Sequence, residues 1–111
     1  MEGKPVIHLI GTDCKLALES EVAKWYMERH IPMLMDFKRL KEVNFCKRLF
    51  DSPGYPKYIA IYKFDNPGAF KAFESSPELA AARKDVAQQW KEGEFEVKWR
   101  VQYETMGRWK Q

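Results

Sequence analysis

The chain has 111 residues, 45% of them hydrophobic and 14% aromatic, which is enough apolar mass for one domain over residues 1–111 and too little for two. Nineteen basic residues stand against sixteen acidic ones, for a net charge of +3; so even a balance argues against nucleic acid or an anionic membrane as the main partner. No segment approaches the ~20 apolar residues of a membrane-spanning helix, and the early run VIHLI is too short for a secretory leader, so a cytoplasmic protein is expected.

Residues 6–11, VIHLIG, form a β-rich run that Gly11, Thr12 and Asp13 are expected to close as a turn. From about residue 17 to residue 31 the apolar period becomes helical. At about 100° per residue, Val22, Ala23, Trp25, Tyr26, Met27, Met33 and Leu34 share one sector, and Lys24, Glu28 and Met35 lie opposite. His30 falls within the apolar sector. Pro32 lacks a donor, clashes with the carbonyl of Glu28 and turns Ile31 from helical geometry, so the helix is expected to end or kink at His30 and Ile31.

Residues 38–50 alternate as a strand, with Leu40 and Val43 out of phase in the manner of a bulge. DSPGYP reads as a loop. Residues 57–64, KYIAIYKF, are β-branched or aromatic nearly throughout and read as a strand. Asn66 caps a helix that Pro67 opens. Ser75 with Glu78 forms a capping box for a second helical segment, which runs to about Trp90 before Gly93. Residues 95–103 alternate strictly: Phe95, Val97, Trp99, Val101 and Tyr103 on one face, Glu96, Lys98, Arg100 and Gln102 on the other.

The order β-α-β-β-α-β predicts an α+β, ferredoxin-like fold: a four-stranded antiparallel sheet with two helices on one face. The other face is left bare, and a second copy of the chain is the economical cover. RNA binding on that face would need aromatics on the first and third strands, but VIHLIG carries Ile7 there, and KYIAIYKF offers Ile59, Ile61 and Phe64. Single-stranded RNA is therefore not expected.

Two sheets packed face to face would make a dimeric α/β barrel with a cavity between each sheet and its first helix. The pattern Tyr26-x-x-x-His30-x-Pro32 resembles the aromatic-x-x-x-His-x-Pro motif of EthD-like proteins. These belong to the dimeric α/β-barrel superfamily, with polyketide cyclases, cofactor-independent monooxygenases and lactone isomerases. The stretch YIAIYKFDNPGAFKAFESSPELAAARKDV is similar to that family's third strand, following turn and second helix, and Trp99 to Glu104 occupy the place of its last strand. Tyr26 stands where the family usually has tryptophan. The resemblance implies a homodimer that binds a small apolar, aromatic or polyketide-like compound without a cofactor. It also implies cyclisation, isomerisation or oxygenation as the reaction, with a non-catalytic binding or assembly module as the competing expectation.

His30 is the candidate general acid or base, because an imidazole titrates near neutrality, and Tyr26, one turn earlier, is its candidate support. The bland alternative for His30 is a ring that satisfies freed helix-end carbonyls. Candidate ligand-binding residues are His8, Trp25, Asn44, Tyr58, Tyr62 and Phe64: an interior histidine, a helix aromatic, a strand amide, and three aromatics of one strand face that suit a pocket wall or an interface. Glu42, Arg48 and Arg100 are strand residues for which the barrel interior stays open, with a solvated edge as the expected place for most of them. Two histidines with no thiol or carboxylate at ligand spacing predict no metal site. Cys14 and Cys46 lack a framework and are expected as free thiols, Cys46 as a small buried hydrophobe.

Overall fold

The computed structural model describes residues 3–111. Its first strand, β1 (Val6–Cys14), runs straight through the expected turn at Gly11. Helix α1 (residues 16–35) comes next as a 3-10 turn over Leu16–Leu18, α-helix over Glu19–Trp25, a π-turn over Tyr26–His30 and α-helix again over Ile31–Met35. Then come β2 (Leu40–Lys47), β3 (Tyr58–Phe64), α2 (Pro67–Glu74), α3 (Pro77–Gln89) and β4 (Phe95–Glu104). The sheet order is β2-β3-β1-β4, every neighbouring pair antiparallel, with the three helices on one face. The ferredoxin-like α+β prediction holds.

Pro32 does not end α1. The Ile31 N–H donates to the Tyr26 carbonyl, five residues back, in place of the usual four. This wider turn accommodates one extra residue and relieves the contact that a proline ring makes with the carbonyl four positions earlier. The helix thus passes Pro32 and reaches Met35. The insertion also shifts the phase of the helix beyond it, so Met35 packs against the core instead of facing away, while Met27 is 54% exposed.

β4 departs from strict alternation for a similar reason. Its register against β1 slips between Gly11 and Thr12, which face Trp99 and Val97 respectively, leaving Lys98 as the extra residue of a bulge. One slipped residue exchanges the two faces. Phe95 and Val97 therefore pack with the core beneath the helices, and Trp99, Val101 and Tyr103 lie on the open face. Gly11 is the counterpart of that bulge. A Cβ there would meet the Trp99 indole at 2.7 Å and Pro56 at 2.8 Å. A second register shift, between Leu40 and Glu42 of β2, is the bulge expected there.

The helix starts follow their caps. The Asn66 side chain accepts from Ala69 N–H at 2.8 Å and opens α2, as predicted. For α3 the cap is Ser76, whose hydroxyl accepts from Leu79 N–H at 3.1 Å; Ser75 instead closes α2. The core between sheet and helices holds Leu34, Leu40, Tyr62, Phe64, Phe73 and Ala82, each at most 2% exposed. Burying each large apolar side chain stabilises the fold by roughly 1.5–3 kcal/mol.

Candidate functional site

A cavity of about 160 Å³ lies between the β1–β3–β4 part of the sheet and the inner faces of α1, α2 and α3. Strand alternation brings residues of three strands to it. Even-numbered β1 residues face the helices, so His8, Ile10 and Thr12 line the cavity, and register places Tyr62 of β3 and Gln102 of β4 on either side of His8. From above, α1 supplies Tyr26, His30 and Leu34. The spacing of four from Tyr26 to His30 spans the π-turn and holds both rings on the buried side, their centroids 4.8 Å apart.

His30 is 9% exposed, and its Nδ1 is buried without a hydrogen-bond partner among the described residues. The ring does not satisfy a helix end, because the helix runs on beyond it. It stacks on the Trp25 indole at 4.9 Å. Trp25 is held in turn by Asp85 of α3, which accepts from the indole N–H at 3.1 Å and from Arg29 Nε at 2.9 Å. Burial pushes the His30 pKa down to about 4, and the Asp85 carboxylate opposes that shift only weakly. The imidazole is neutral at pH 7, and His30 lines the cavity while its Nδ1 stays buried and without a partner among the described residues.

The hydroxyls of Tyr26 and Tyr62 are 2.8 Å apart and hydrogen-bonded. Burial raises the pKa of Tyr26 to about 12 and lifts that of Tyr62 well above the ordinary tyrosine value, so both stay protonated. The pair holds two protons and spends one on the mutual bond. The other O–H is left to donate. Across the cavity, the Gln102 amide nitrogen donates to His8 Nδ1 at 2.9 Å, which leaves the proton of the neutral ring on Nε2. His8 also packs on Phe70, centroids 5.0 Å apart. Its pKa falls to about 4 through burial first, then through the positive charges of Arg100 and Arg83.

Of the residues singled out in the sequence, the fold brings His8, Tyr26, His30 and Tyr62 to one cavity. Trp25 stands behind His30 as its stacking platform and does not line it. Tyr58 and Phe64 face the helices with Tyr62 but are buried at 3% and 1% away from the cavity, Tyr58 against Phe45 and Phe64 against Phe73. Asn44 lies opposite Ile61 on the open side of the sheet, exposed. Because Tyr58, Tyr62 and Phe64 sit beneath helices, they are not available to an interface. Cys46 is exposed and not a buried hydrophobe, and both cysteines are free.

Arg83, Arg100, Gln102 and Thr12 line the cavity without having been expected there. The signal was present for two of them: Leu79, Arg83 and Val86 share one face of α3 by helical spacing, and Arg100 alternates with Val101. No metal-binding cluster of histidine, cysteine, aspartate or glutamate occurs among the described residues. No helix among them is long and apolar enough to cross a membrane.

The chain belongs to the family described as a domain of unknown function, DUF4286, which matches residues 6–98. No curated protein matches it. Among solved structures it is similar to the hydroxynitrile lyase of Passiflora edulis, with a TM-score of 0.70, 15% identity, and coverage of 96% of this chain and 98% of that one. It is also similar to an EthD family protein of Bacillus halodurans, with a TM-score of 0.66, 16% identity and coverage of 91% and 99%. A third similar structure is a dimeric ferredoxin-like protein of unknown function from Thermobifida fusca, with a TM-score of 0.60, 18% identity and coverage of 95% and 94%. At these identities the likeness is one of fold, and at that level it agrees with the EthD-like resemblance carried by Tyr26, His30 and Pro32.

Proposed function

We propose that this member of the DUF4286 family binds a small, mostly apolar ring compound in the cavity beneath α1 and moves a proton on it without a cofactor. The observation that carries the proposal is His30: a buried, neutral imidazole whose Nδ1 has no partner among the described residues and which lines the same cavity as a hydroxyl pair with a proton to spare. A buried polar atom with no partner costs free energy, and a ligand that donates to it removes that cost.

In this role the neutral imidazole of His30 takes a proton from a ligand C–H or O–H. The free O–H of the Tyr26–Tyr62 pair donates to the ligand oxygen on which negative charge develops. Return of the proton from His30 to another ligand atom completes an isomerisation or a ring closure. With its pKa near 4 the ring is a weak base until a ligand anion stabilises its protonated form. That couples the chemistry to occupancy of the site. The volume, about 160 Å³, is that of a site for one ring. The hydroxynitrile lyase with this fold is a precedent for enzymatic use of it.

The working unit is a homodimer in the cytoplasm. The open sheet face presents half-buried Ile7, Leu9, Ile59, Ile61 and Val101, with Trp99 37% and Tyr103 56% exposed, and a similar structure is described as dimeric.

A thermal-shift screen of single-ring aromatic and small polyketide-like compounds, run on wild type and His30→Ala, tests the proposal. At least one compound is expected to raise the wild-type melting temperature and not that of the variant. The same compound should exchange an acidic hydrogen for deuterium, by NMR, only with wild type. Stabilisation without exchange would reduce the protein to a binding module, and stabilisation of both proteins equally would remove His30 from the site.

A further inference from the structure

We infer that the cavity takes an anion: a single-ring carboxylate, or one of similar size, whose carboxylate is held by Arg83 of α3 and Arg100 of β4 while its apolar body lies among Ile10, Phe70, Leu79 and Val97. The inference rests on the cavity being a binding site, as proposed above, and adds the charge of its ligand.

Both guanidiniums line the cavity. Neither makes an ion pair with a carboxylate among the described residues, whereas Arg29 and Arg48 both do. Arg39 and Arg108 are also without one, but only Arg83 and Arg100 share a cavity lining, and two like charges sharing one cavity repel unless an anion joins them. Among the described residues the only carboxylate on the lining is Glu74, so two positive charges face one negative charge. Asp85, the other buried acid nearby, is taken up by Arg29 and the Trp25 indole. The remaining titratable groups on the lining, His8, His30 and the two tyrosines, are neutral at pH 7, and Thr12 and Gln102 carry no charge. The positive charges of Arg100 and Arg83 also help to hold His8 in its neutral form, which places their field inside the cavity as well as at its rim.

Guanidinium is the group best matched to a carboxylate, through paired N–H donors in a plane. An apolar site of about 150 Å³ accepts benzene, and about 160 Å³ is present here. One ring therefore fills the hollow and leaves its anionic substituent at the arginines. His30 and the Tyr26–Tyr62 pair share the lining with the two arginines, so a ring held at its carboxylate lies in the same hollow as the proton-handling groups.

Titration calorimetry with benzoate, benzamide and phenylphosphonate tests this on wild type, Arg83→Gln and Arg100→Gln. Both arginines are exposed, so the variants are expected to keep the wild-type near-UV spectrum. Benzoate is expected to bind wild type at least about tenfold more tightly than benzamide, its neutral isostere, and each glutamine variant to lose about tenfold for benzoate with no change for benzamide. Benzoate and benzamide binding equally, or benzoate affinity surviving both substitutions, would overturn the carboxylate site and leave the cavity as a neutral binding site. Phenylphosphonate binding more tightly than benzoate would assign the arginines to a phosphoryl group instead. Failure of all three compounds to bind folded wild type would remove both the anion site and the ring-binding cavity beneath it.

Discussion

The hydroxyl of Tyr26 on α1 and the hydroxyl of Tyr62 on β3 meet at 2.8 Å, each residue only 1% exposed, and tie the first helix to the middle of the sheet. Tyr26 reaches that point because it also stacks on Phe45 of β2, ring centroids 4.3 Å apart and nearly parallel. Deleting one hydroxyl leaves the other buried without a partner. Tyr62→Phe and Tyr26→Phe are each expected to cost about 1–2 kcal/mol. The double variant should cost less than the sum by about 1 kcal/mol, because the second deletion removes the orphan. Urea denaturation of the four proteins gives the cycle. Strict additivity would mean that the two hydroxyls do not bond in solution.

The two histidines set a pH dependence with a definite sign. Both are held neutral, His8 by burial and by Arg100 and Arg83, His30 by burial against the weaker pull of Asp85, and both pKa values fall from 6.5 to about 4. In the unfolded chain each ring protonates near 6.5, so between there and about pH 4 the unfolded state binds more protons than the folded one. Their contribution to stability is complete above about pH 7, drains away as pH falls from 6.5 toward 4, and changes no further below that. The melting temperature is expected to drop by roughly 5 °C or more between pH 7 and pH 5. The slope should flatten in His8→Gln and His30→Asn. An unchanged slope in both variants would show that other groups carry it.

Much of the fold was legible in the sequence because its signals are local. Asn66 followed by Pro67 marks a helix start whatever surrounds it, and KYIAIYKF can hardly be anything but a strand. Leu40 and Val43 out of phase announced a bulge. Two insertions of a single residue escaped, each visible only against a partner. The π-turn lets α1 carry Pro32, and nothing in WYMERHIP says that the helix finds enough packing at Leu34 and Met35 to run on. The bulge in β4 reverses Phe95 and Val97, yet the alternation of residues 95–103 is flawless when read alone. Only the pairing of Gly11 with Trp99 exposes the slip.

The site was legible in proportion to how far each residue's neighbours lie along the chain. Tyr26 and His30 share a helix, and their spacing of four was enough to associate them. His8 and Tyr62 could be named as aromatics or histidines on strands, but their meeting depends on the register of β1 with β3. Asn44 was misplaced because its neighbours in sequence say nothing about which face of an edge strand is covered. Arg83 and Arg100 reach the cavity from two elements remote in sequence. A charged residue on a helix or an edge strand looks like ordinary solvent surface, and only the fold shows that it borders a cavity as well.

The open face of the sheet yields the last prediction. Ile7, Leu9, Ile59, Ile61 and Val101 form an apolar strip that no helix of this chain covers, flanked by Trp99, which lies over Gly11, and by the ion pair of Lys63 with Glu42 at 2.7 Å. An exposed apolar sheet face of this kind marks an interface. A self-complementary strip suits a two-fold dimer, in which each residue meets its counterpart in the partner. A buried lysine would be left without a partner at the centre of that contact, whereas on a solvated monomer face it would cost almost nothing. Light scattering coupled to size exclusion is therefore expected to give two chains for wild type and one for Ile61→Lys or Leu9→Lys, with unchanged far-UV spectra. Gly11→Val, which must displace the Trp99 indole, should weaken the dimer as well. A wild type that remains a monomer at tens of micromolar would mean that this strip meets something other than a second copy.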